Sequence, residues 1–328
     1  MANLIRCLGY SIGKVHTGMI SYLCELYREG NKEPFESFLT VLGVDVPNNP
    51  VPRREWNSVD LAILEQKQDG HLKPLILIEL KVDDYESQSN SGSYQTVRYS
   101  NMWPSCCDKL FITLGKGEYY HAPRSNKFKW VRIREFLKAL EAIKNKDKVI
   151  NDWIEEIKHE ILLQENAFIG DKSHAADYRG GSWNIYLFGH LKEMLSPQFL
   201  KSKLDVVMTC YTYGSKPDTI FNFGWSQTPL YMEINYSGRL NLKMFLDKSK
   251  SKDARREDVK REIRNCEKLS FDIAPTFHLG GKIEKSKTIA SFNIGLSDID
   301  KDGFLLCQPS IDQVRENIFS VVKTFYGR

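Results

Sequence analysis

Two charged residues close an apolar run that extends from Leu75 to Val82. The run opens with four large apolar residues, and Glu79 and Lys81 follow at once, two positions apart. In a β-strand, residues two apart project from the same face, so both charges are expected on one side of a sheet. A buried carboxylate is costly unless it is paired, hydrogen-bonded or bound to a cation. Because ligands collect at the carboxyl ends of strands in α/β sheets, the pattern predicts a functional carboxylate there.

A third charge, Asp60, lies inside the neighbouring apolar run Val59 to Leu64. If the two runs form a hairpin across the loop from Gln66 to Lys73, Asp60 approaches Glu79. Two carboxylates that close repel each other, and one pKa rises unless a cation lies between them. Mg²⁺ prefers oxygen ligands and accepts substrate phosphate as a further ligand. The sequence therefore predicts a Mg²⁺ site with Asp60, Glu79 and the backbone carbonyl of Leu80 as ligands, where Mn²⁺ can substitute.

Two carboxylates and a lysine around such a metal are suited to hydrolysing phosphodiester bonds. The metal polarises the scissile phosphate and lowers the pKa of a bound water. Lys81 then orients that water or stabilises the charge that develops on the phosphoryl oxygens. Taken alone, the Glu79–Lys81 pair is better explained as a solvated salt bridge where a strand ends. The buried run, Asp60 and the motif described next favour the catalytic interpretation.

The order Asp60, then Glu79-Leu80-Lys81, resembles the D…(D/E)-x-K signature of the PD-(D/E)xK nuclease superfamily, which includes restriction enzymes and recombination or repair exonucleases. The segment Gln95 to Tyr99 resembles the Q-x-x-x-Y element of its exonuclease-like branch. Four residues apart on a helix, Gln95 and Tyr99 share one face, where the resemblance implies that they support the metal-bound water or the DNA backbone. The resemblance to the superfamily covers residues 10–145 and implies a restriction-endonuclease-like α-β-β-β-α-β core with a mixed sheet.

Two positions depart from the pattern of this superfamily. Val59 stands where its members often have a proline, and Lys14 stands near the place of an acidic residue that many carry on the first helix. Glu25 and Glu29 are the alternatives for that acid. The number of metal ions at the site therefore stays open.

The elements that must position these residues follow from hydrophobic periodicity. Helices are predicted over 14–29, 34–42 and 93–103, and the proline-containing stretch 44–53 is expected to be extended or looped. Strands are predicted over 59–64, 74–82 and 109–114, followed by a short strand and a helix within 130–143. This order of helices and strands is typical of an α/β fold with a mixed sheet.

A Lys/Asn/Asp-rich joint near 144–151 predicts two domains, a nuclease-like domain over 1–150 and an accessory α+β domain over 151–328. In the second part, helices are predicted over 152–164, within 183–200, and over 250–268 and 310–325. Strands are predicted over 204–213, 219–225, 229–235, 239–246 and 288–295. DNA recognition, dimerisation and partner binding are the roles expected of such a domain.

Composition limits the classes of protein that fit the chain. Its 46 basic and 42 acidic residues give a net charge of +4, so any nucleic-acid surface must come from local clusters rather than bulk charge. The basic segments 116–134 and 248–264 are open to two interpretations, phosphate contact or solvated salt-bridged surface. Seven cysteines without a C-x-x-C spacing indicate free thiols in a reducing compartment. No signal peptide and no membrane span are expected, so the predicted location is cytoplasmic.

Three hypotheses follow. The first is a Mg²⁺-dependent deoxyribonuclease, which the resemblance links to bacterial defence (restriction or anti-phage cutting) or to repair, and which is compatible with a homodimer. The second is a catalytically inactive nucleic-acid-binding protein on a nuclease-like scaffold. The third, a structural assembly protein, predicts large oligomers and no affinity for nucleic acid.

Overall fold

The structure, a computed structural model, describes residues 3–66, 72–120, 122–169, 177–178, 185–186, 207–213, 218–224, 229–234, 238–280, 286–296 and 311–326. The chain divides into two compact units, Met1–Leu162 and Leu163–Arg328. The predicted domain limit at residue 150 lies twelve residues before this division. The difference arises because the helix that starts at Lys148 contributes Ile150, Trp153 and Ile157 to the core of the first unit.

The first unit contains the helices and strands that surround Asp60 and Glu79. Its helices are α1 (Leu4–Leu8), α2 (Gly13–Arg28), α3 (Glu33–Val41), α4 (Gln95–Met102), α5 (Gly117–Tyr120), α6 (Ile133–Glu141) and α7 (Lys148–Ile169). Its strands are β1 (Pro50–Trp56), β2 (Val59–Gln66), β3 (Leu72–Lys81), β4 (Asp108–Thr113) and β5 (Lys129–Val131). The strands form one sheet in the order β1-β2-β3-β4-β5.

This sheet is mixed, as predicted. Strands β1, β2 and β3 pair antiparallel, and β4 and β5 extend the sheet with parallel pairing. The expected hairpin between β2 and β3 is present, with Leu61 opposite Ile78. On the other side of β3, Glu79 lies opposite Phe111 and Lys81 lies opposite Thr113. The two charges therefore lie on the central strand, between an antiparallel and a parallel neighbour.

Apolar residues cover both faces of β3, which explains why this strand reads as a continuous hydrophobic run. One face, with Ile76 and Ile78, packs against the helices α2, α3, α6 and α7. The other face, with Leu77, packs against Tyr99 of α4 and a smaller cluster. Alternation along β3 places Glu79 and Lys81 on the same face as Leu77. The site is therefore built on the side of the sheet that α4 covers.

Strand β1 was not predicted as a strand, because Pro50 and Pro52 interrupt its sequence. Proline cannot donate to a sheet ladder, but it is tolerated on an edge strand, which is the position of β1. A two-residue turn, Asn57–Ser58, joins β1 to β2, with φ of +48° and +71°. Positive φ at both central residues is the geometry of a type I′ hairpin turn. Because of this turn, β2 begins at Val59, immediately before Asp60.

The second unit is α+β, as predicted. Its strands are β6 (Val207–Tyr213), β7 (Asp218–Gly224), β8 (Leu230–Ile234), β9 (Arg239–Phe245), β10 (Thr276–Phe277) and β11 (Ser286–Asn293). They form an antiparallel sheet in the order β10-β11-β9-β8-β7-β6. Its helices include α8 (Lys252–Glu267) and α9 (Ile311–Tyr326). The helix predicted within 183–200 lies outside the described residues apart from 185–186.

Two observations concern the described ranges of both units. No helix there has the length and apolar character needed to cross a membrane. The cysteines at positions 7, 24, 106, 107 and 266 are free thiols.

Candidate active site

Glu79 is fully buried and only half satisfied. Its side chain has 0% exposure, and Oε1 lies 2.6 Å from Nζ of Lys81, whose side chain is 13% exposed. Oε2 is also buried, and it has no hydrogen-bond partner in the described part of the chain. A buried polar atom without a partner costs about 1–3 kcal/mol, and more when the group is charged. The site therefore has room for a further donor or a cation at this oxygen.

Asp60 lies where the pairing between β2 and β3 ends. The last paired residues are Leu61 and Ile78, and beyond them Oδ2 of Asp60 accepts a hydrogen bond of 2.8 Å from the backbone N–H of Leu80. A side-chain carboxylate thus replaces a carbonyl of the sheet ladder. Because the N–H and C=O of one strand residue point to the same side, the Leu80 carbonyl projects toward the same edge. The Asp60 carboxylate and the Leu80 carbonyl therefore lie at the same edge of β3, and the charge of Asp60 acts on Glu79.

Helix α2 begins beside the Leu80 carbonyl. A Cβ at Gly13, its first residue, would lie 3.7 Å from the carbonyl oxygen, an ordinary van der Waals contact. The start of α2 therefore forms part of the surroundings of this carbonyl.

The charges at the site are strongly coupled. Burial raises the pKa of Glu79 to about 7, and the negative charge of Asp60 adds to this rise, while Lys81 and the backbone N–H of Asp60, which approaches the Glu79 carboxylate, oppose it. Burial alone would lower the pKa of Lys81, but the charges of Glu79 and Asp60 outweigh it, and the net pKa is raised. Lys81 is consequently a stable ammonium group. Glu79 is the group that releases a proton when a cation approaches.

Gln95 and Tyr99 meet beside the hairpin turn. Tyr99 is 2% exposed, and its hydroxyl donates a 2.5 Å hydrogen bond to the carbonyl of Ser58. Gln95 Nε2 donates to the same hydroxyl at 3.5 Å, and Gln95 Oε1 accepts from the Ser87 N–H at 3.1 Å. Burial and the charge of Glu79 raise the pKa of Tyr99. The two residues share a helix face, and their contacts fix the turn that precedes Asp60.

In the described residues, Asp60 and Glu79 have no third acid beside them that is placed to hold a metal. Within the ranges that the structure describes, no cluster of three or more His, Cys, Asp or Glu is placed to hold a metal. Lys14, at the place of the first-helix acid, lies 2.5 Å from Glu55 on the surface. Glu25 pairs with Arg28 at 2.6 Å. The candidate ligands are therefore two carboxylates and one backbone carbonyl.

Comparison of the chain with models of known protein families, with curated proteins and with solved structures found no match. The resemblance to PD-(D/E)xK nucleases therefore rests on the motif residues themselves.

Basic side chains in the two segments 116–134 and 248–264 make ion pairs with acidic residues or lie over aromatic rings. In 116–134, Arg132 pairs with Glu118 at 2.9 Å and Arg124 lies 4.9 Å from the ring of Tyr94. In the charged helix α8, the pairs have i,i+3 spacing, Glu257–Lys260 and Asp258–Arg261. Arg261 contacts Asp258, three residues before it, rather than Glu257, four residues before it. Of the two open interpretations, these contacts favour a salt-bridged surface.

Two parts of the site were not predicted from the sequence. The first is the carbonyl of Ser58, which accepts the Tyr99 hydroxyl; the signal was Asn57–Ser58, a dipeptide suited to a tight hairpin turn. The second is Asp84, whose charge also raises the pKa of Lys81. Asp84 lies in the loop after β3, three residues beyond Lys81, and the sequence does not show that this loop stays close to the Lys81 side chain.

Proposed function

We propose that the first unit is a Mg²⁺-dependent nuclease that hydrolyses phosphodiester bonds in DNA. The observation that carries the proposal is Glu79, a fully buried carboxylate with one unpartnered oxygen, beside Asp60 and Lys81. A purely structural salt bridge has no reason to leave one carboxylate oxygen unsatisfied in a buried position. A cation-binding carboxylate does have such a reason, because the missing contact is made by the metal.

The donor set fits Mg²⁺. Asp60 and Glu79 would each supply a carboxylate oxygen and Leu80 its backbone carbonyl, and the ion would keep several waters. A cation between the two carboxylates removes their mutual repulsion, which contributes to the raised pKa of Glu79. When bound, the metal polarises the scissile phosphate and lowers the pKa of a coordinated water.

The protein's own side chains then supply orientation and charge. The Lys81 ammonium, held by Glu79, stabilises negative charge on the phosphoryl oxygens as the water attacks. Tyr99 is a positioning residue, since it acts through its bond to Ser58 and thereby fixes the approach to Asp60. Gln95 in turn holds the Tyr99 hydroxyl. The second unit would serve DNA recognition, dimerisation or partner binding, in defence or in repair.

One observation favours the alternative, a catalytically inactive nucleic-acid-binding protein. Asp60 and Lys81 both have protein partners already, the N–H of Leu80 and the carboxylate of Glu79. An inactive descendant of a nuclease would keep such contacts for stability. The two functions differ in whether a divalent cation activates cleavage.

Cleavage assays separate these functions. Supercoiled plasmid, linear duplex, single-stranded DNA and RNA are incubated with the protein in Mg²⁺, Mn²⁺ or EDTA. We expect cleavage of DNA in either metal and none in EDTA, with loss of cleavage in Asp60→Ala and Lys81→Ala. The matched control is Lys243→Ala, which removes the lysine of a second buried pair and leaves cleavage unchanged. A folded wild-type protein that cuts no substrate with either metal would establish the inactive binder.

A further inference from the structure

The described tryptophans fall into two classes. The indole N–H of Trp153 donates to Nδ1 of His16 at 3.0 Å, and that of Trp130 donates to Oγ1 of Thr113 at 2.8 Å. Trp56 and Trp103 are partly exposed, and in the described part of the chain their N–H groups have no hydrogen-bond partner. Their ring centroids lie 5.0 Å apart at an interplanar angle of 35°. Trp56, Trp103 and Trp130 are all partly buried against the same apolar cluster, and Trp56 and Trp103 differ from Trp130 in forming a ring pair whose indole N–H groups have no partner among the described residues.

This aromatic pair adjoins the candidate active site. Trp56 is the last residue of β1, and its Cα partner across the hairpin is Val59, which immediately precedes Asp60. Trp103 follows the last turn of α4, and its ring lies 6.0 Å from that of Tyr99. The same tyrosine holds the turn between Trp56 and Asp60. The pair is therefore attached to the two elements that position the candidate metal ligands.

A cation without an acidic partner lies on the same helix. Arg98 is half-buried, its Nε is shielded from solvent, and this nitrogen has no hydrogen-bond partner among the described residues. Its guanidinium carbon lies 5.7 Å from the centroid of the Tyr99 ring. Buried guanidinium nitrogens are ordinarily hydrogen-bonded, so Arg98 has donor capacity left for an anion. A phosphate matches the fork geometry of the arginine guanidinium.

We propose that Trp56, Trp103 and Arg98 bind single-stranded nucleic acid, with an unpaired base on the indole pair and a backbone phosphate on Arg98. Aromatic side chains stack on any base, whereas the bases of an intact duplex are stacked on each other and unavailable. This inference rests on the proposed function in one respect: it names the substrate class of the proposed nuclease site. The substrate that the site prefers then carries an unpaired segment next to the scissile phosphate.

Binding is measured without cleavage, by fluorescence anisotropy of labelled oligonucleotides in Ca²⁺ or EDTA. We expect the full-length protein to bind single-stranded DNA more tightly than blunt duplex of the same length. Trp103→Ala and Trp56→Ala should each weaken single-strand binding by about 5- to 150-fold, the usual range for one base–aromatic stack, while Trp103→Phe keeps most of it. The matched control is Phe245→Ala, which removes an exposed ring stacked at 4.3 Å on Tyr231 in the second unit.

Arg98→Gln has a separate signature. Loss of one phosphate contact should reduce the slope of log affinity against log salt by about 0.7 for a single strand, and the preference for single strands over duplex should persist. A second measurement needs no variant: oligonucleotides with 5-iodouracil are photo-crosslinked to the wild-type protein, and the attached residues are mapped. Crosslinks at Trp56 or Trp103 support the inference even if an alanine variant fails to fold.

The outcomes distinguish this inference from the proposed nuclease activity. Equal affinity for single strands and blunt duplex, with the tryptophan variants unchanged and no crosslinks at 56 or 103, overturns the stacking surface, even if the wild-type protein cleaves DNA. Tight single-strand binding that depends on the two tryptophans, without cleavage in Mg²⁺ or Mn²⁺, supports the stacking surface and overturns the nuclease. Cleavage that favours substrates with unpaired segments and falls in Trp103→Ala supports both.

Discussion

Each of the two units holds a largely buried glutamate–lysine pair in the central part of its sheet, on β3 in the first unit and across β8 and β9 in the second, and the two pairs differ in how many carboxylate oxygens the lysine contacts. In the second unit, both oxygens of Glu233 lie within 3.2 Å of Nζ of Lys243, whose ammonium also lies 5.8 Å from the ring of Tyr231. In the first unit, Lys81 contacts only one oxygen of Glu79. A second carboxylate, Asp60, raises the pKa of Glu79 further.

This is the difference expected between a structural pair and a pair that receives a ligand, as proposed for Glu79 and Lys81. A buried ion pair is tolerated when hydrogen bonds satisfy its remaining atoms, and the Glu233 pair meets this condition. Glu86 meets it too, because Thr96 and the N–H of Arg124 occupy its two oxygens. At Glu79, by contrast, the fold keeps two carboxylates close together and leaves one buried oxygen without a donor. Such unfavourable arrangements persist mainly at functional sites.

The largest expected effect is on DNA cleavage, and it compares Glu79 with Glu233 directly. Glu79→Gln removes a charged metal ligand, and a bound metal stabilises the transition state by several kcal/mol. We expect kcat/KM for DNA cleavage to fall by about 10³-fold or more in this variant, and to change less than twofold in Glu233→Gln. Equal losses in the two variants would mean that the pairs do not differ in function.

The second effect is on the pH dependence of stability in metal-free protein. The native pKa of Glu79, about 7, lies above its ordinary value of 4.5, so the native state holds this proton more tightly than the unfolded chain. The free energy of unfolding therefore decreases as pH rises from about 4.5 to about 7. Relative to Glu79→Gln, wild type should lose up to about 3 kcal/mol across this window.

Denaturant unfolding in EDTA at several pH values measures this difference. Glu233→Gln keeps Glu79 and should therefore keep the same decrease. A stability difference between wild type and Glu79→Gln that stays constant from pH 4.5 to 7 would show that Glu79 is not electrostatically unfavourable.

A third, smaller effect concerns the contact that holds the turn next to Asp60. Tyr99→Phe deletes the hydroxyl that donates to the Ser58 carbonyl, and the loss of one such bond costs about 1 kcal/mol of unfolding free energy. Because the turn positions Asp60, we expect DNA cleavage to fall by about tenfold as well. Chemical denaturation and cleavage kinetics on the same preparation test both. A stability loss without any change in cleavage would restrict Tyr99 to a structural role.

The smallest effect is a gain in stability at the turn itself. Ser58 has a φ of +71°, which glycine adopts without strain, and Asn-Gly is the preferred dipeptide of type I′ turns. Ser58→Gly should therefore raise the free energy of unfolding by about 0.4–1 kcal/mol and leave cleavage unchanged. Ser93→Gly, at an ordinary backbone conformation, is the control and should be neutral or destabilising. A loss of stability in Ser58→Gly would contradict the assigned turn geometry.

The sequence predicted the scaffold of the site well, because hydrophobic periodicity determines it. The apolar run ending in Glu79-Leu80-Lys81, the hairpin with β2 and the helix from Gln95 were all anticipated within a few residues of their bounds. Strand β1 was missed, since prolines conceal a strand that lies on a sheet edge. The predicted domain limit preceded the actual division because α7 packs on the first core.

The relations between side chains were beyond sequence reasoning. That Asp60 accepts the Leu80 N–H depends on where the β2–β3 ladder ends, which periodicity cannot locate to one residue. The position of the Trp56 side chain depends on Glu55, whose positive φ of +52° interrupts the regular alternation of side chains before the turn. Non-glycine residues rarely adopt a positive φ, so no local sequence pattern predicts this conformation at Glu55.

Titration of the protein with Mn²⁺ and Mg²⁺ by calorimetry tests the central claim most directly. We predict metal binding in wild type and in Glu233→Gln, and its loss in Asp60→Asn and Glu79→Gln, with all four proteins folded by circular dichroism. Metal binding of equal strength in all four proteins, or its absence from wild type, would contradict the assignment of Asp60 and Glu79 as a divalent-cation site.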